Sequence, residues 1–413
     1  MIKKLIFEHA IFNTQLLLLL LLSKLSKMTP EEKINLITRN LKEVVGLDHL
    51  RKIVATRPLK IHFGTAPTGR IHIGYFVPVL KIVDFLKAGC EVKILIADLH
   101  AQLDNLKSNS DLVKHRTSYY QQMIELMLNR MGAPMENCKF CFGSDYQLSV
   151  PYTLDVYKLC TMLTLNDAKR AGAEVVKQSG NPVLGSLIYP ILQALDEVYL
   201  DVDCQFGGLD QRKIFMMARN FLPILGYQKK IHLMAPMLPS MTVTPPKPKV
   251  ADMDNESSGS SNDVSETISK VSVDIMETDV ETIEINKMSA SDPKSKIDLL
   301  DGKKMIRKKI NQMYCLEGDL TFNPVMDLVR MIIFPLMEHM NISVFTINRP
   351  EKYGGPIHFD HIDKLTEAFA NKELHPADLK NSTGDFLNIF LEPIRQEFSS
   401  REKQNLLKQA YPE

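Results

Sequence analysis

The chain has 413 residues, which predicts two or three domains at roughly 100–200 residues each. With 45% apolar and 24% charged residues it has an ordinary globular composition, which excludes wholesale disorder, a collagen-like repeat and a polytopic membrane protein. Lys+Arg (50) and Asp+Glu (49) balance, so net charge alone says nothing about partners, and six cysteines over this length are no disulfide framework.

The first 27 residues look foreign to the rest of the chain. Leu16–Leu22 is a run of seven leucines, short of the ~20 apolar residues a membrane span needs. Lys3 and Lys4 precede it as in a signal peptide, but no small-x-small cleavage site comes after it. A dispensable extension over residues 1–27 is therefore expected, with the functional chain starting at Met28. Thr29-Pro30-Glu31-Glu32 then reads as a capped helix start, continued by Ile34, Ile37, Leu41 and Val44/Val45 at helical spacing.

From Leu59 the pattern turns to strand, helix, strand. Leu59–Gly64 is a short apolar run, Thr65–Arg70 (TAPTGR) is turn-rich, and Phe76, Leu80, Val83 and Leu86 share one helical face ended by Gly89. Glu91–Asp98 (EVKILIAD) reads as a buried parallel strand. Helical patterns at Ser110–Gly132 and Thr153–Lys169 come next, then αβ alternation to about His232. The expectation is an α/β fold with a doubly wound parallel sheet over residues 28–240, carrying an inserted helical region at about 120–200. Cys138 and Cys141 make one C-x-x-C with no second pair at zinc-ribbon spacing, and read as two thiols in a reducing compartment rather than a metal site.

Charge is segregated further on. Residues 251–286 hold ten acids against Lys270 alone, a net −9 that leaves +10 on the rest of the chain. Low hydrophobicity with concentrated charge cannot repay the entropy of ordering, so residues 241–286 are expected to form a disordered acidic insertion that projects outward. A basic remainder is compatible with a polyanionic partner. Residues 287–302 form a loop, and from Lys303 to residue 413 the pattern is mostly helical (Lys303–Tyr314, Pro324–His339, Ile362–Ala370, Pro376–Arg395), marking a separate α-helical domain.

Two motifs carry chemistry. His72-Ile73-Gly74-Tyr75 stands where the first βα turn enters its helix; unpaired N–H groups there suit a phosphate, and a glycine lets a flat base approach the backbone. Lys287-Met288-Ser289-Ala290-Ser291 puts a lysine and two hydroxyls on a loop able to close over a triphosphate. In this order they resemble the HIGH and KMSKS signatures of class I aminoacyl-tRNA synthetases. IADLHAQLDN (96–105), YTLDVY (152–157), AGAEVVKQ (171–178), IYPILQALD (188–196), QFGGLDQRK (205–213) and LHPADLKN (374–381) look like the eukaryotic and archaeal tyrosyl-tRNA synthetases. The resemblance runs from about Thr29 to Glu413, the acidic insertion excepted.

That resemblance implies a Rossmann-like catalytic domain, a C-terminal anticodon-binding domain, and a cytoplasmic homodimer with no membrane partner. It implies activation of L-tyrosine by ATP with Mg²⁺, without a tightly bound cofactor or a protein-held metal, and transfer to tRNA(Tyr). Tyrosine would be held by Tyr189, Gln193, Asp196 and Gln211, with Leu95, Ala97 and His100 as walls. Tyr189, Gln193 and Asp196 stand at i, i+4 and i+7, one face of a helix by spacing alone. ATP would meet Gly64, His72, Gly74, Gly208, Asp210 and Lys287, with Ser289 and Ser291 on the closing loop. Tyr353, His375 and Asp378 would read the anticodon, and Lys169, Arg170, Arg212 and Lys213 would approach the tRNA; by themselves the last four are ordinary surface cations, and His375 is equally a helix cap before Pro376.

Three departures stand out. Similar enzymes usually carry a tyrosine three residues before the TxPTG-like turn, where this chain has His62; the expectation is that His62 keeps the contact to the phenol and makes tyrosine affinity pH-sensitive, against the alternative of a core histidine turned away. Tyr75 replaces the second histidine of HIGH, and Ala290 the second lysine of KMSKS. A catalytically weak tRNA-binding paralogue, a tryptophanyl-tRNA synthetase and another adenylate-forming nucleotidyltransferase are the rival readings; the aspartate at 196 argues against the second, and LHPADLKN would have no use in the third. The appended C-terminal tRNA-binding domain of some animal relatives is not expected here.

Overall fold

The computed structural model describes residues 28–104, 110–175, 183–242, 288 and 294–412. The expected extension at 1–27 lies outside them, as do Lys287, Ser289 and Ser291 and all of the acidic insertion beyond Thr242. At the start of the body the capping box forms: Glu32 N–H donates to Thr29 Oγ1 at 3.3 Å and Thr29 N–H to Glu32 Oε2 at 2.7 Å.

In chain order the elements begin with α1 (Pro30–Thr38), β1 (Glu43–Val45), α2 (Leu47–Val54), β2 (Lys60–Thr65), a 3₁₀ turn at Ile73–Tyr75, α3 (Phe76–Lys87), β3 (Glu91–Ile96) and α4 (Asp98–Leu103). Next come α5 (Ser110–Arg130), β4 (Cys138–Phe142), α6 (Val150–Met162), α7 (Leu165–Gly172), α8 (Leu184–Tyr199), β5 (Cys204–Gly208), α9 (Arg212–Phe221) and β6 (Ile231–Ala235). The rest comprises α10 (Lys303–Gln312), α11 (Pro324–Leu328) running through a π turn into α12 (Phe334–His339), the hairpin β7 (Phe345–Ile347) and β8 (Ile357–Phe359), then α13 (Ile362–Ala370), α14 (Pro376–Glu397) and α15 (Arg401–Ala410).

Two expectations are corrected. The first helix does not run on to Val45: it stops at Thr38, Asn40 takes a left-handed φ of 59°, and Val44 and Val45 join β1. Adjacent β-branched residues lose rotamer freedom in a helix and fit a pleated surface, and β6 offers them a backbone partner. The helix expected over Thr153–Lys169 is two helices; Thr164 restarts it with its own capping box to Asp167. The β7–β8 hairpin has no counterpart among the expected elements, because strands of three residues leave too short a pattern to read.

The sheet order is β1-β6-β5-β2-β3-β4, with β1 antiparallel to β6 and the other pairs parallel. From β2 the chain goes to β3 on one side, while β5 lies on the other. The crevice outside the C-terminal ends of β2 and β5 is thus the topological switch point, where open α/β sheets bind ligands. An apolar core runs from α3 and the sheet into the C-terminal helices, with Phe76 edge-on to Phe390 at 5.1 Å.

Candidate active site

A cavity of about 400 Å³ opens at that switch point. Gly64 and Thr65 line it from the end of β2, His72, Gly74 and Tyr75 from the turn after it, and Gly208, Asp210 and Gln211 from the end of β5. Tyr189 reaches it from α8, and Met288 from the other end of the chain. Residues as distant in sequence as His72, Asp210 and Met288 are therefore neighbours only because the strands are.

The turn is built around His72. Its backbone is extended, its ring caps the 3₁₀ turn, and Nδ1 accepts from Gly74 N–H at 3.2 Å. That bond assigns the proton of the neutral ring to Nε2, a donor. Burial, and then the nearby Lys296 ammonium, push the His72 pKa down to about 3, so it stays neutral at working pH. A Cβ on Gly74 would lie 2.9 Å from the His72 ring, so a side chain there displaces the histidine. At the β5 end, a Cβ on Gly208 would sit 2.4 Å from Asp210 Oδ1. Tyr75 does not imitate a histidine: its hydroxyl is 3.3 Å from both Thr65 Oγ1 and Tyr120 OH.

Behind the cavity lies a buried polar group. Tyr189 lines the open space, whereas Gln193 and Asp196 are set deeper, Gln193 Nε2 donating to Gln211 Oε1 at 2.7 Å. Asp196 is 1% exposed. Its Oδ1 accepts from Tyr146 OH (2.7 Å), Gln147 Nε2 (2.7 Å) and Tyr152 OH (3.0 Å), while Oδ2 lies 3.8 Å from His100 Nε2. Burial raises the Asp196 pKa to about 7 despite those three donors. The His100 ring stands edge-on to Tyr189 at 4.6 Å, and burial lowers its pKa to about 3. Leu95 and Ala97 pack with Leu200 and Val202 rather than lining the open cavity.

His62 occupies a transverse row of the sheet, Lys93–His62–Gln205–His232, with Glu197 of α8 bonded to His232 at 2.9 Å. It is fully buried with no hydrogen-bond partner on either ring nitrogen, and the same holds for His100. Burial takes its pKa to about 3, with smaller repulsion from His232, Lys93 and His100. This corrects the expectation that His62 titrates near neutrality and confers pH sensitivity: desolvation keeps it uncharged throughout. The group titrating near pH 7 is Asp196, whose Oδ2 lies 3.8 Å from His100 Nε2.

The other expected residues are spread over the surface. Arg212 pairs with Glu43 at 2.7 Å, Lys213 with Glu174 at 2.9 Å and Arg170 with Asp167 at 3.4 Å, and Lys169 is its neighbour on α7. Tyr353 is exposed, with Lys352 over its ring at 4.8 Å. His375 is the N-cap of α14, its Nδ1 accepting from Ala377 N–H at 3.1 Å, and Asp378 stands in the first turn. Sequence reasoning missed Tyr146 and Gln147 altogether, and it picked out Tyr152 only as part of YTLDVY and Gln205 only as part of QFGGLDQRK. Tyr146, Gln147 and Tyr152, the donors to Asp196, sit in no repeat or glycine-rich signal that marks polar partners of a buried carboxylate.

A family model for the class I tRNA synthetases (W and Y) matches residues 54–250 and 262–392. The cytoplasmic tyrosine–tRNA ligase of Saccharomyces cerevisiae is 44% identical over 397 residues, covering 95% of this chain and 90% of that protein. That of Xenopus tropicalis is 46% identical over 93% of this chain, which spans 64% of its length. Among solved structures, the tyrosyl-tRNA synthetase of Archaeoglobus fulgidus complexed with L-tyrosine matches with a TM-score of 0.72 at 32% identity, covering 89% of this chain and 99% of that one. The chain belongs to the class I tRNA synthetase family for tryptophan and tyrosine.

Proposed function

With that membership as premise, we propose that the chain is a tyrosine–tRNA ligase acting on L-tyrosine, ATP and tRNA(Tyr) in the cytoplasm. The observation that carries the reading is the α8 face: Tyr189 beside the His72–Gly74 turn, Gln193 one helical turn behind it and Asp196 two turns behind, a polar depth suited to a phenol. Tyrosine enters ring-first. Its hydroxyl donates to Asp196 Oδ2 and meets His62 and His100, whose unpartnered buried nitrogens are costly until a ligand satisfies them. Tyr189, Gln193 and Gln211 hold the amino end.

ATP lies across Gly64, Gly74, Gly208 and Asp210. The tyrosine carboxylate, already ionised, attacks the α-phosphorus in line, and pyrophosphate leaves. No general base is needed; positioning and charge stabilisation lower the barrier. His72 donates from Nε2 to a phosphate oxygen, and Lys287, with Ser289 and Ser291, meets the departing pyrophosphate. Mg²⁺ arrives on the phosphates of ATP as part of the substrate and neutralises charge there. A terminal ribose hydroxyl of the tRNA then attacks the carbonyl carbon of the mixed anhydride and releases AMP.

For the tRNA, Arg212, Lys213, Lys169 and Arg170 face the acceptor end, and Tyr353, His375 and Asp378 the anticodon, with aromatic stacking on a splayed base. In this reading residues 28–240 are the catalytic domain, 241–286 the acidic insertion, 287–302 the loop that closes over ATP and 303–413 the anticodon-binding domain. A homodimer is favoured by the apolar face of α6 and its surroundings, where Val150, Leu154 and Tyr157 are more than half exposed at i, i+4 and i+7, with Leu165 and Leu184 exposed nearby. The test is amino-acid-dependent pyrophosphate exchange on the purified chain. Exchange with tyrosine and charging of tRNA(Tyr) is expected; exchange with tryptophan, or tRNA binding without exchange, overturns the proposal.

A further inference from the structure

We propose that Arg70 and Asp298 form a clamp that sets the His72 turn against the base of the Lys287-bearing loop, which makes both of them positioning residues for adenylate formation. The clamp rests on the tyrosine–tRNA ligase reading. Arg70 immediately precedes the Ile71–Gly74 turn, and Asp298 lies in the C-terminal part of the 287–302 loop, 228 residues later. The guanidinium faces both carboxylate oxygens: Nη2 donates to Oδ1 at 3.3 Å, while Nε lies 2.9 Å from Oδ2 as an ion pair without hydrogen-bond alignment.

The backbone repeats the connection. Ile73 N–H donates to Ile297 O at 2.9 Å and Leu299 N–H to Ile71 O at 3.3 Å, so His72 and Asp298 face each other across an antiparallel bridge. Lys296 Nζ donates to Arg70 O at 2.9 Å. Ile297 and Leu299 are fully buried on either side. On the far side, Asp298 N–H is held by Asp301 Oδ2 at 3.0 Å, and Lys309 of α10 donates to Asp301 Oδ2 and to Lys296 O, both at 2.7 Å. The clamp therefore ties the turn to a segment that is itself anchored to α10.

Its contribution is geometric more than thermodynamic. The Arg70 side chain is 41% exposed, and pairs of that kind add little to stability. Register is another matter, since a misplacement of about 1 Å far from the chemistry can cost 10²-fold in rate. Asp298→Asn is the informative change, because an amide oxygen at the Oδ1 position still accepts from Leu300 N–H (2.9 Å) and from Arg70 Nη2, while the negative charge and the oxygen facing Arg70 Nε are lost.

The experiment is a double-mutant cycle of Arg70→Gln and Asp298→Asn in single-turnover tyrosyl-adenylate formation, with tyrosine Kd and melting temperature measured alongside. Each single variant is expected to slow the step about tenfold with Kd within about twofold, and the double variant to be no slower than the slower single. Arg70→Lys, which keeps the charge and loses the planar guanidinium, should fall between. Rates unchanged in the singles, losses that multiply in the double, or losses that follow tyrosine Kd overturn the clamp. Should Asp298→Asn fail to fold, the half-exposed Arg70→Gln and Arg70→Lys carry the test by the same rate and Kd. Absence of tyrosine-dependent exchange in the unmodified chain overturns the functional reading itself, and is told apart from failure of the clamp by that control.

Discussion

Tyrosine affinity should rise with pH across neutrality, and Asp196→Asn should abolish that dependence. The phenol hydroxyl donates, so it selects the ionised carboxylate, and burial has raised the Asp196 pKa to about 7. If only the carboxylate form binds, the apparent Kd scales as 1 + 10^(pKa − pH). That is a factor of about 11 at pH 6 against about 1.1 at pH 8, a roughly tenfold gain in affinity. His100 beside that carboxylate and His62 in the sheet are held near 3, and burial pushes the Tyr146 and Tyr152 hydroxyls up, so neither pair competes between those limits. The adjoining Glu197 is bonded to His232.

The stability sign is opposite. A carboxyl whose folded pKa lies above its unfolded value contributes stability that is fully present below the unfolded value of about 3.8 and is lost as pH rises through 7. The loss is of order 4 kcal/mol at 1.36 kcal/mol per unit. Asp196→Asn keeps an acceptor for Tyr146, Gln147 and Tyr152 and is expected to melt higher than the unmodified protein at pH 8, while binding tyrosine tenfold or more weakly; replacing a charged acceptor by a neutral one forfeits ~1–2 kcal/mol. Calorimetric titration of tyrosine between pH 5.5 and 8.5 decides it, with His62→Gln as the control that retains the slope. A flat profile for folded unmodified protein, or an unchanged slope in Asp196→Asn, would refute the assignment of the phenol to this carboxylate.

His72→Ala should slow adenylate formation by ~10²–10³ with tyrosine binding spared, and the unmodified rate should show no histidine titration from pH 5.5 to 8, because His72 is held near 3; stopped-flow measurement checks both. Lys287→Ala should lose a similar ~10²–10³ in the same assay, and full activity there would remove it from the site. Deleting residues 250–284 should leave the adenylate rate within a few-fold. Met241 N–H already donates to Ser295 O at 3.0 Å, so the ends of that excursion are brought together without it, and total loss of activity would mean that the segment is structural. Leu154→Glu on the exposed face of α6 should convert a dimer to monomer in sedimentation, and an unchanged mass would move the interface elsewhere.

Much of the site was legible because its signals are short-range. The Thr29 capping box, the turn at His72 and the shared face of Tyr189, Gln193 and Asp196 are set by spacings of three to seven residues, and helical geometry converts such spacings directly into neighbours. Less was legible where two local signals competed. Val44 and Val45 fit the helical spacing begun at Ile34, yet they form an edge strand because β6 is there to receive them.

The amino-acid sequence by itself determined the strand–helix alternation from Leu59 to about His232, the two motifs at His72 and Lys287 and the residues on the α8 face, since each depends on backbone periodicity and side-chain size within one element. Only the tertiary structure decided their electrostatics. His62 is uncharged because the sheet and α8 exclude water from it, and Asp196 titrates near pH 7 because burial outweighs donors brought from 44 to 50 residues away. Desolvation and the meeting of Arg70 with Asp298 are properties of the closed three-dimensional packing, and no spacing along the chain encodes them.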